Sequence, residues 1–197
     1  MIDCVRSGAV YGSGDGAYEL VTNTWIVGDD RDVWVIDAAN DPESILAAIG
    51  GRRVAAVLCT NGTVDHVNAA PSVAADAQAP ILLHPADGRF WSGTNPDRQV
   101  DGELADGQVL SLAGLELLVL HTPGYTRGSC SFHVPAASTV FAGDTLGLTA
   151  PESGSPFSDP VVQVASIRER LLTLPGDTQV RRGHGEVTTI ADHLDQV

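Results

Sequence analysis

The chain of 197 residues contains no lysine, so all eleven of its basic residues are arginines. Against them stand 25 acidic residues, which give a formal net charge of −14 at pH 7. Nucleic acids and anionic membranes are bound through clusters of basic side chains, so this charge balance argues against both as main partners. We expect a small-molecule substrate as the partner, and the sequence leaves the oligomeric state open.

Cysteine and long apolar segments are also scarce. Cys4, Cys59 and Cys130 lie far apart without C-x-x-C spacing, which argues against a disulfide framework and a cysteine-based zinc site. No apolar run approaches the roughly 20 residues of a membrane-spanning helix, and the first residues lack the basic and apolar regions of a signal peptide. These absences predict a cytoplasmic protein, and the many Ala, Val and Gly residues beside absent lysine are typical of a GC-rich bacterial genome. The length predicts a single domain over residues 1–197.

Strand and helix patterns alternate along the chain. Glu19–Val27 and Asp32–Ala38 are strand patterns separated by Gly28-Asp29-Asp30, a hairpin signal, and a helix is predicted from Pro42 to Gly50. Further strands are predicted over Val54–Cys59, Ile81–Leu83, Val109–Leu112, Leu115–His121, Cys130–Val134, Thr139–Ala142 and Gln179–Val180. Further helices are predicted over Val67–Ala77, Val161–Leu174 and Thr188–Leu194, a surface excursion over Phe90–Asp106, and a loop bordering the site over Thr149–Pro160. This order favours two sheets between helical layers.

Four apolar strand patterns lead into residues that bind metals or transfer protons. The residues at these strand ends are Asp65 with His66, then His121, Asp144 and His184. Strand ends in layered α/β proteins are the usual place for a site, because the sheet holds the side chains while loops give access. Imidazole and carboxylate together suit zinc, iron or manganese. One such residue is more often structural, but their occurrence at the ends of four strands favours a shared site.

The order and spacing of these blocks resemble the metallo-β-lactamase fold, specifically its glyoxalase-II-like hydrolases. The resemblance rests on Asn23–Val27, Val35–Asp37, Thr60–His66, His121–Ser129, Phe141–Leu146 and Gly183–Thr189, and it covers nearly the whole chain. It implies a four-layer αββα sandwich that holds two metal ions between the sheets, and hydrolysis of an ester, thioester, lactone or amide.

The resemblance also assigns ligands, and here the sequence departs from the family. The family signature T-H-x-H-x-D-H keeps Asp65 and His66, but Asn61 and Thr63 replace its first two histidines. In the family those two histidines bind the first metal together with the residue matching His121. The second site remains complete, with Asp65, His66, Asp144 and His184 as its implied ligands, and Asp144 in the bridging position.

The departures predict a mononuclear site. Asn and Thr are poor zinc donors beside an imidazole, so we expect one ion, zinc, with iron or manganese as alternatives. Such an ion would lower the pKa of bound water toward about 7. Asp65 and His121 are the candidate catalytic groups with Tyr125, whose phenol could donate a proton, while Asn61 and Thr63 would line the substrate pocket.

Three functions remain open at this point. The first is a mononuclear metallohydrolase of a small-molecule ester, thioester, lactone or amide. The second is a family member repurposed for a non-hydrolytic tailoring step in natural-product biosynthesis, and the third is a non-catalytic ligand-binding protein. Retention of the complete second ligand set argues against pure binding. The adjacent Arg181 and Arg182 are predicted to be a solvated pair, although they could also meet an anionic substrate group.

Overall fold

A computed structural model describes residues 1–12, 14–147 and 157–195, and over these residues the chain forms two six-stranded sheets. The first sheet contains, in spatial order, β1 (Ile2–Tyr11), β2 (Tyr18–Gly28), β3 (Asp32–Ile36), β4 (Arg53–Leu58), β5 (Ile81–Leu83) and β6 (Gly102–Glu103). Strands β1 to β3 pair antiparallel, whereas β3 to β6 pair parallel.

The second sheet is built from the later part of the chain and has one parallel pair. Its strands are β7 (Val109–Leu112), β8 (Leu115–His121), β9 (Cys130–Val134), β10 (Thr139–Gly143), β11 (Gln179–Arg182) and β12 (Thr188–Thr189), also in spatial order. Only β10 and β11 pair parallel among these described strands. The carboxyl ends of β10 and β11 therefore lie side by side, at one edge of the sheet.

Helices cover the outer faces of both sheets. They are α1 (Pro42–Ile49), α2 (Val64–Val67), α3 (Ala70–Ala77), α4 (Gly88–Thr94) and α5 (Pro160–Ser166), which continues as a π-helical turn over Ile167–Leu171. Helix α1 begins as predicted, with the Asp41 side chain accepting a hydrogen bond from the Ser44 backbone N–H, and ends at Gly50 in the left-handed conformation. None of the helices in the described ranges combines the length and apolar character needed to cross a bilayer.

Three buried clusters hold the layers together. Val33 and Val35 of β3 pack toward α1 and α3, whereas Trp34 and Ile36 of the same strand pack against Phe132 and other residues of the second sheet. A third cluster joins the second sheet to the α5 region. Because β3 is buried on both faces, its sequence is continuously apolar and does not alternate. The predicted four-layer αββα architecture is confirmed.

Several predicted element bounds are wrong. Strand β1 was not predicted, because this edge strand is only half-buried and carries Arg6, Ser7 and Gly8 at its centre. The excursion over Phe90–Asp106 contains most of α4, where the Trp91 indole is buried and donates to the Arg98 carbonyl.

The remaining differences concern helices. The helix predicted over Val67–Ala77 is divided into α2 and α3, and the closing helix is instead β12 followed by a 3-10 turn over Ile190–His193. Of the predicted loop Thr149–Pro160, residues 149–156 lie outside the described residues.

Candidate metal centre

Three strand ends of the two sheets bring four potential ligands together. These residues are Asp65, His66, Asp144 and His184, and one ligand atom from each lies within 4.8 Å of the others. We call them the Asp–His cluster. Its first two members lie in α2, shortly after β4, and the other two lie within two residues of the ends of the parallel strands β10 and β11. The predicted meeting of strand ends therefore holds for three of the four, and His121 is outside the cluster.

The carboxylate oxygens and the Nε2 atoms of the two imidazoles face one another in the cluster. His66 Nε2 lies 3.0 Å from Asp144 Oδ2, and His184 Nε2 lies 3.2 Å from Asp65 Oδ2. The outer nitrogen of each ring has its own acceptor: His66 Nδ1 is 3.0 Å from Asp37 Oδ2, and His184 Nδ1 is 2.8 Å from the Val21 carbonyl oxygen. Since a carbonyl only accepts, His184 Nδ1 must donate, which leaves the Nε2 lone pair of the neutral ring facing the cluster.

Burial makes the charges of this cluster strongly interdependent. Burial by itself would lower the pKa of His66, but the carboxylates of Asp144, Asp37 and Asp65 raise it well above its ordinary value. Burial by itself would raise the pKa of Asp65, yet His66, His184 and Thr63 lower it. The side chains of Asp144 and His66 are at most 1% exposed. The arrangement therefore requires positive charge at its centre, which protons on the rings or a metal cation can supply.

Two observations show that the cluster fits a metal ion. Asp144 Oδ1 is buried and has no hydrogen-bond partner within the described ranges, although a buried carboxylate oxygen normally has one. Gly183 lies against the cluster, where a Cβ would come within 2.4 Å of His66 Cε1 and 2.6 Å of Asp144 Oδ1. Only glycine lets these ligands approach each other here. Two imidazole nitrogens and two carboxylates suit zinc, iron or manganese.

Asp37 is a functional residue that the sequence analysis missed. Its carboxylate accepts from the Thr60 backbone N–H and hydroxyl, both at 2.7 Å, and faces His66 Nδ1 with the same oxygen that bonds the hydroxyl. Asp37 thus fixes the orientation of the His66 ring toward the cluster. A signal was present, because Asp37 follows the apolar strand β3 as directly as Asp144 follows β10.

Asp87 is a second residue that the sequence analysis missed, and its hydrogen bonds connect two loops of the site. Its fully buried carboxylate accepts from the backbone N–H groups of Gly62 and Gly128 and from the Thr126 hydroxyl. The first of these donors lies between β4 and α2, and the other two lie between β8 and β9. No local pattern marks Asp87, since its donors are 25 to 41 residues away.

The segment carrying His184 is held by the first sheet. The Asn23 side-chain amide donates to the carbonyls of Arg182 and Gly185, and the Trp25 indole also donates to Arg182. Arg182 is only 1% exposed and donates to the Glu186 carbonyl, while the Arg181 guanidinium lies 5.0 Å above the Trp25 ring. The prediction of a solvated arginine pair is therefore wrong for Arg182, which is buried, whereas Arg181 is partly exposed and lies over the Trp25 ring.

The other sequence candidates lie beside the cluster. Asn61 is 1% exposed, and its side-chain oxygen accepts two hydrogen bonds from Thr63. The His121 ring stacks on His84 with centroids 4.2 Å apart, and its Nε2 lies 3.0 Å from the Arg127 carbonyl oxygen. Tyr125 is partly buried in the same loop after β8. Asn61 Oδ1 and His121 Nε2 thus bond to Thr63 and to the backbone and not to the cluster.

Comparisons with known proteins agree with this fold. The metallo-beta-lactamase superfamily model matches residues 17–184. A hydroxyacylglutathione hydrolase of Haemophilus influenzae is 28% identical over 180 residues, covering 82% of this chain and 84% of the relative. A probable metallo-hydrolase of Bacillus subtilis is 28% identical over 197 residues, covering 90% and 91%. A crystal structure of a protein in a di-iron-bound form superposes with a TM-score of 0.79 at 29% identity, covering 96% and 98%.

Proposed function

This chain belongs to the metallo-beta-lactamase superfamily, and we propose that it is a hydrolase that works with one metal ion held by the Asp–His cluster. The observation that carries the proposal is the contrast between the cluster and its neighbours. The ligand atoms of the cluster converge, whereas Asn61 Oδ1 and His121 Nε2 are already hydrogen-bonded elsewhere. A second ion would therefore find few donors beside the first.

The side chains of the cluster differ in their exposure to solvent, and we assign their roles accordingly. The side chains of His66 and Asp144 are almost fully buried, so they form the base of the site. Those of Asp65 and His184 are 10% and 15% exposed and therefore border its open side. When bound, the metal ion supplies the Lewis acidity that makes water a nucleophile near neutral pH. Asp65 lies where it can accept the proton that this water loses.

The residues around the cluster keep this arrangement in place. Asp37 holds the His66 ring by its outer nitrogen, and the Val21 carbonyl does the same for His184. Tyr125 is our candidate for donating a proton to the leaving group. His121 takes no part in holding the ion within this proposal, because its ring is stacked and hydrogen-bonded away from the cluster.

A thioester is the substrate class that we favour. The Haemophilus influenzae relative is named for hydrolysis of a hydroxyacylglutathione, which is a thioester of a small hydroxy acid. In such a reaction the OH of water goes to the acyl carbon, the carbon–sulfur bond breaks, and the remaining proton goes to the thiol. The identity of the ion is part of the proposal: we favour zinc, and the di-iron structure makes iron the first alternative.

Metal analysis and a thioester assay on the same preparation test the proposal. The protein is loaded separately with zinc, iron and manganese, dialysed, and analysed for metal content and for hydrolysis of S-lactoylglutathione. We expect about one equivalent per chain and thiol release that a chelator abolishes. Two tightly held equivalents would contradict the mononuclear site, and failure of every loaded form on thioesters, esters and lactones would contradict the hydrolase.

A further inference from the structure

The side-chain amide of Asn61 has an orientation that its neighbours determine. Its Oδ1 accepts from the Thr63 backbone N–H at 2.8 Å and from the Thr63 hydroxyl at 2.6 Å. A backbone N–H can only donate, so the atom facing it must be the amide oxygen and not the nitrogen. The two N–H bonds of Asn61 therefore point away from Thr63.

These two N–H bonds are buried without an acceptor. Asn61 is 1% exposed, and its Nδ2 has no hydrogen-bond partner anywhere in the part of the chain that the structure describes. A buried donor left unpaired costs about 1–3 kcal/mol, and most buried polar groups are paired. The donor is therefore suited to an acceptor that the described chain does not supply.

The segment that carries this donor leads directly into α2, which holds Asp65 and His66. The intervening Gly62 faces the opposite way, since its N–H donates to Asp87 and a Cβ would lie 2.9 Å from the Asp87 carbonyl oxygen. The side chains of Asn61 and Thr63 hydrogen-bond to each other, so they share one side of the chain, whereas Gly62 faces Asp87. Thr63 adjoins the cluster, because its backbone carbonyl accepts a hydrogen bond from the His66 N–H at 3.0 Å at the start of α2.

We propose that the Asn61 amide donates a hydrogen bond to the acyl carbonyl oxygen of the substrate, and that Thr63 is the positioning residue that keeps the N–H bonds facing it. The inference rests on the proposed function and adds a group that binds the reacting oxygen. As water adds to the acyl carbon, the carbonyl electron pair moves onto the oxygen, and the hydrogen bond from Asn61 strengthens. The pair then returns, the bond to the leaving sulfur breaks, and the proton from water goes to the thiol.

Two apolar variants of similar shape test these roles. Asn61→Leu removes the donor, and Thr63→Val removes the hydroxyl but keeps the backbone N–H and the branched side chain. Thr63→Ser is the matched control, because it keeps the hydroxyl. Each variant is loaded with metal and examined for metal content, melting temperature, and kcat and KM on S-lactoylglutathione.

We expect every variant to retain about one metal equivalent, since neither residue belongs to the Asp–His cluster. Removal of one oxyanion donor typically lowers kcat by about 100-fold or more, and we expect that for Asn61→Leu with a smaller change in KM. We expect Thr63→Val to lower kcat by about 10-fold, a tenth of that factor. We expect Thr63→Ser, which keeps the hydroxyl, to keep kcat near the wild-type value. If Thr63 were merely structural, the melting temperature would fall while kcat of the folded fraction stayed unchanged.

A spectroscopic measurement separates the hydrogen bond from turnover. The probe is the slowly hydrolysed amide analogue of S-lactoylglutathione, labelled with carbon-13 at the acyl carbonyl. We expect its infrared carbonyl stretch to shift to lower frequency on the wild-type protein and to recover much of that shift on Asn61→Leu. Wild-type turnover with an unchanged kcat and carbonyl stretch in Asn61→Leu would overturn only this inference, whereas absence of turnover in the loaded wild-type protein would overturn the proposed function beneath it.

Discussion

The Asp–His cluster and the adjacent group of Asn61, Thr63 and His121 occupy neighbouring loops, yet they use their polar atoms differently. In the cluster, an acceptor outside the cluster holds the outer nitrogen of each imidazole, so the inner nitrogen faces the other ligands. In the adjacent group, Asn61 bonds to Thr63, and the His121 ring bonds to the Arg127 carbonyl and stacks on His84. Whether a residue can act as a metal ligand therefore depends on the hydrogen-bond partner of its outer atoms as much as on the residue itself.

The largest effect expected from this contrast is loss of metal on changing a member of the cluster. Asp144→Ala and His184→Ala should each weaken metal binding by more than about 100-fold, which exceeds the usual effect of an outer partner. A metal that binds only the folded state raises stability by mass action, so added metal should raise the melting temperature of the wild-type protein and not that of either variant. His133→Ala, at the partly buried position of β9, is the matched control and should behave as the wild-type protein does.

Asp87 should show the next largest effect, on folding stability. Asp87→Ala leaves the N–H groups of Gly62 and Gly128 and the Thr126 hydroxyl without their acceptor in a buried place. At about 1 kcal/mol or more for each unsatisfied group, the free energy of unfolding should fall by roughly 3 kcal/mol in urea titration. Asp97→Ala, at an exposed position, should change it by less than about 0.5 kcal/mol. Equal values for both variants would show that Asp87 does not join the two loops.

Asp37 contacts His66 without belonging to the cluster, so its replacement tests how much a partner of a ligand contributes to metal affinity. Asp37→Asn keeps the shape but weakens the acceptor facing His66 Nδ1, and loss of such partners typically lowers metal affinity by about 10–100-fold. Competition with a chromophoric chelator measures this change. The control Asp32→Asn lies at the start of β3, the strand that Asp37 follows. Asp32 pairs with Arg53 there, and this variant should leave the affinity unchanged. Undiminished affinity in Asp37→Asn would mean that His66 is oriented by packing alone.

Replacement of His121 should have the smallest effect on metal binding, and it tests whether His121 lies outside the ligand set. His121→Ala should retain the metal and should lose about 1 kcal/mol of stability, the usual value of an aromatic pair, through loss of the stack on His84. The same loss in His84→Ala, without further loss in the double variant, would assign the energy to the stacked pair. Metal loss in His121→Ala comparable to that in His184→Ala would make His121 a ligand.

The outcome for the fold shows which patterns predict structure well. The apolar runs of β4, β5 and β8 and the Asp41-Pro42 start of α1 were predicted to within one residue or two, because burial and capping are encoded locally. Strand β1 was missed because its half-exposed residues are stabilised by pairing with β2 and not by a local apolar pattern. Trp91 was placed in a surface excursion, although tertiary packing buries it.

The alternation of strand and helix patterns in the amino-acid sequence predicted the layered fold, and the strand ends predicted a site that included the four residues of the Asp–His cluster. The resemblance to the family separated these four from His121 and marked Asn61 and Thr63 as replacements of two histidines. The contacts and orientations of those residues depend on the tertiary structure. The roles of Asp37 and Asp87, the inward-facing Nε2 atoms, the stacking of His121 on His84 and the fixed amide of Asn61 all depend on hydrogen bonds and contacts between side chains and backbone. The contacts of His66 and Asp87 connect residues up to 41 positions apart, and the contact of His184 with Val21 spans 163 positions. No local pattern records which of many distant groups a buried carboxylate or ring will contact.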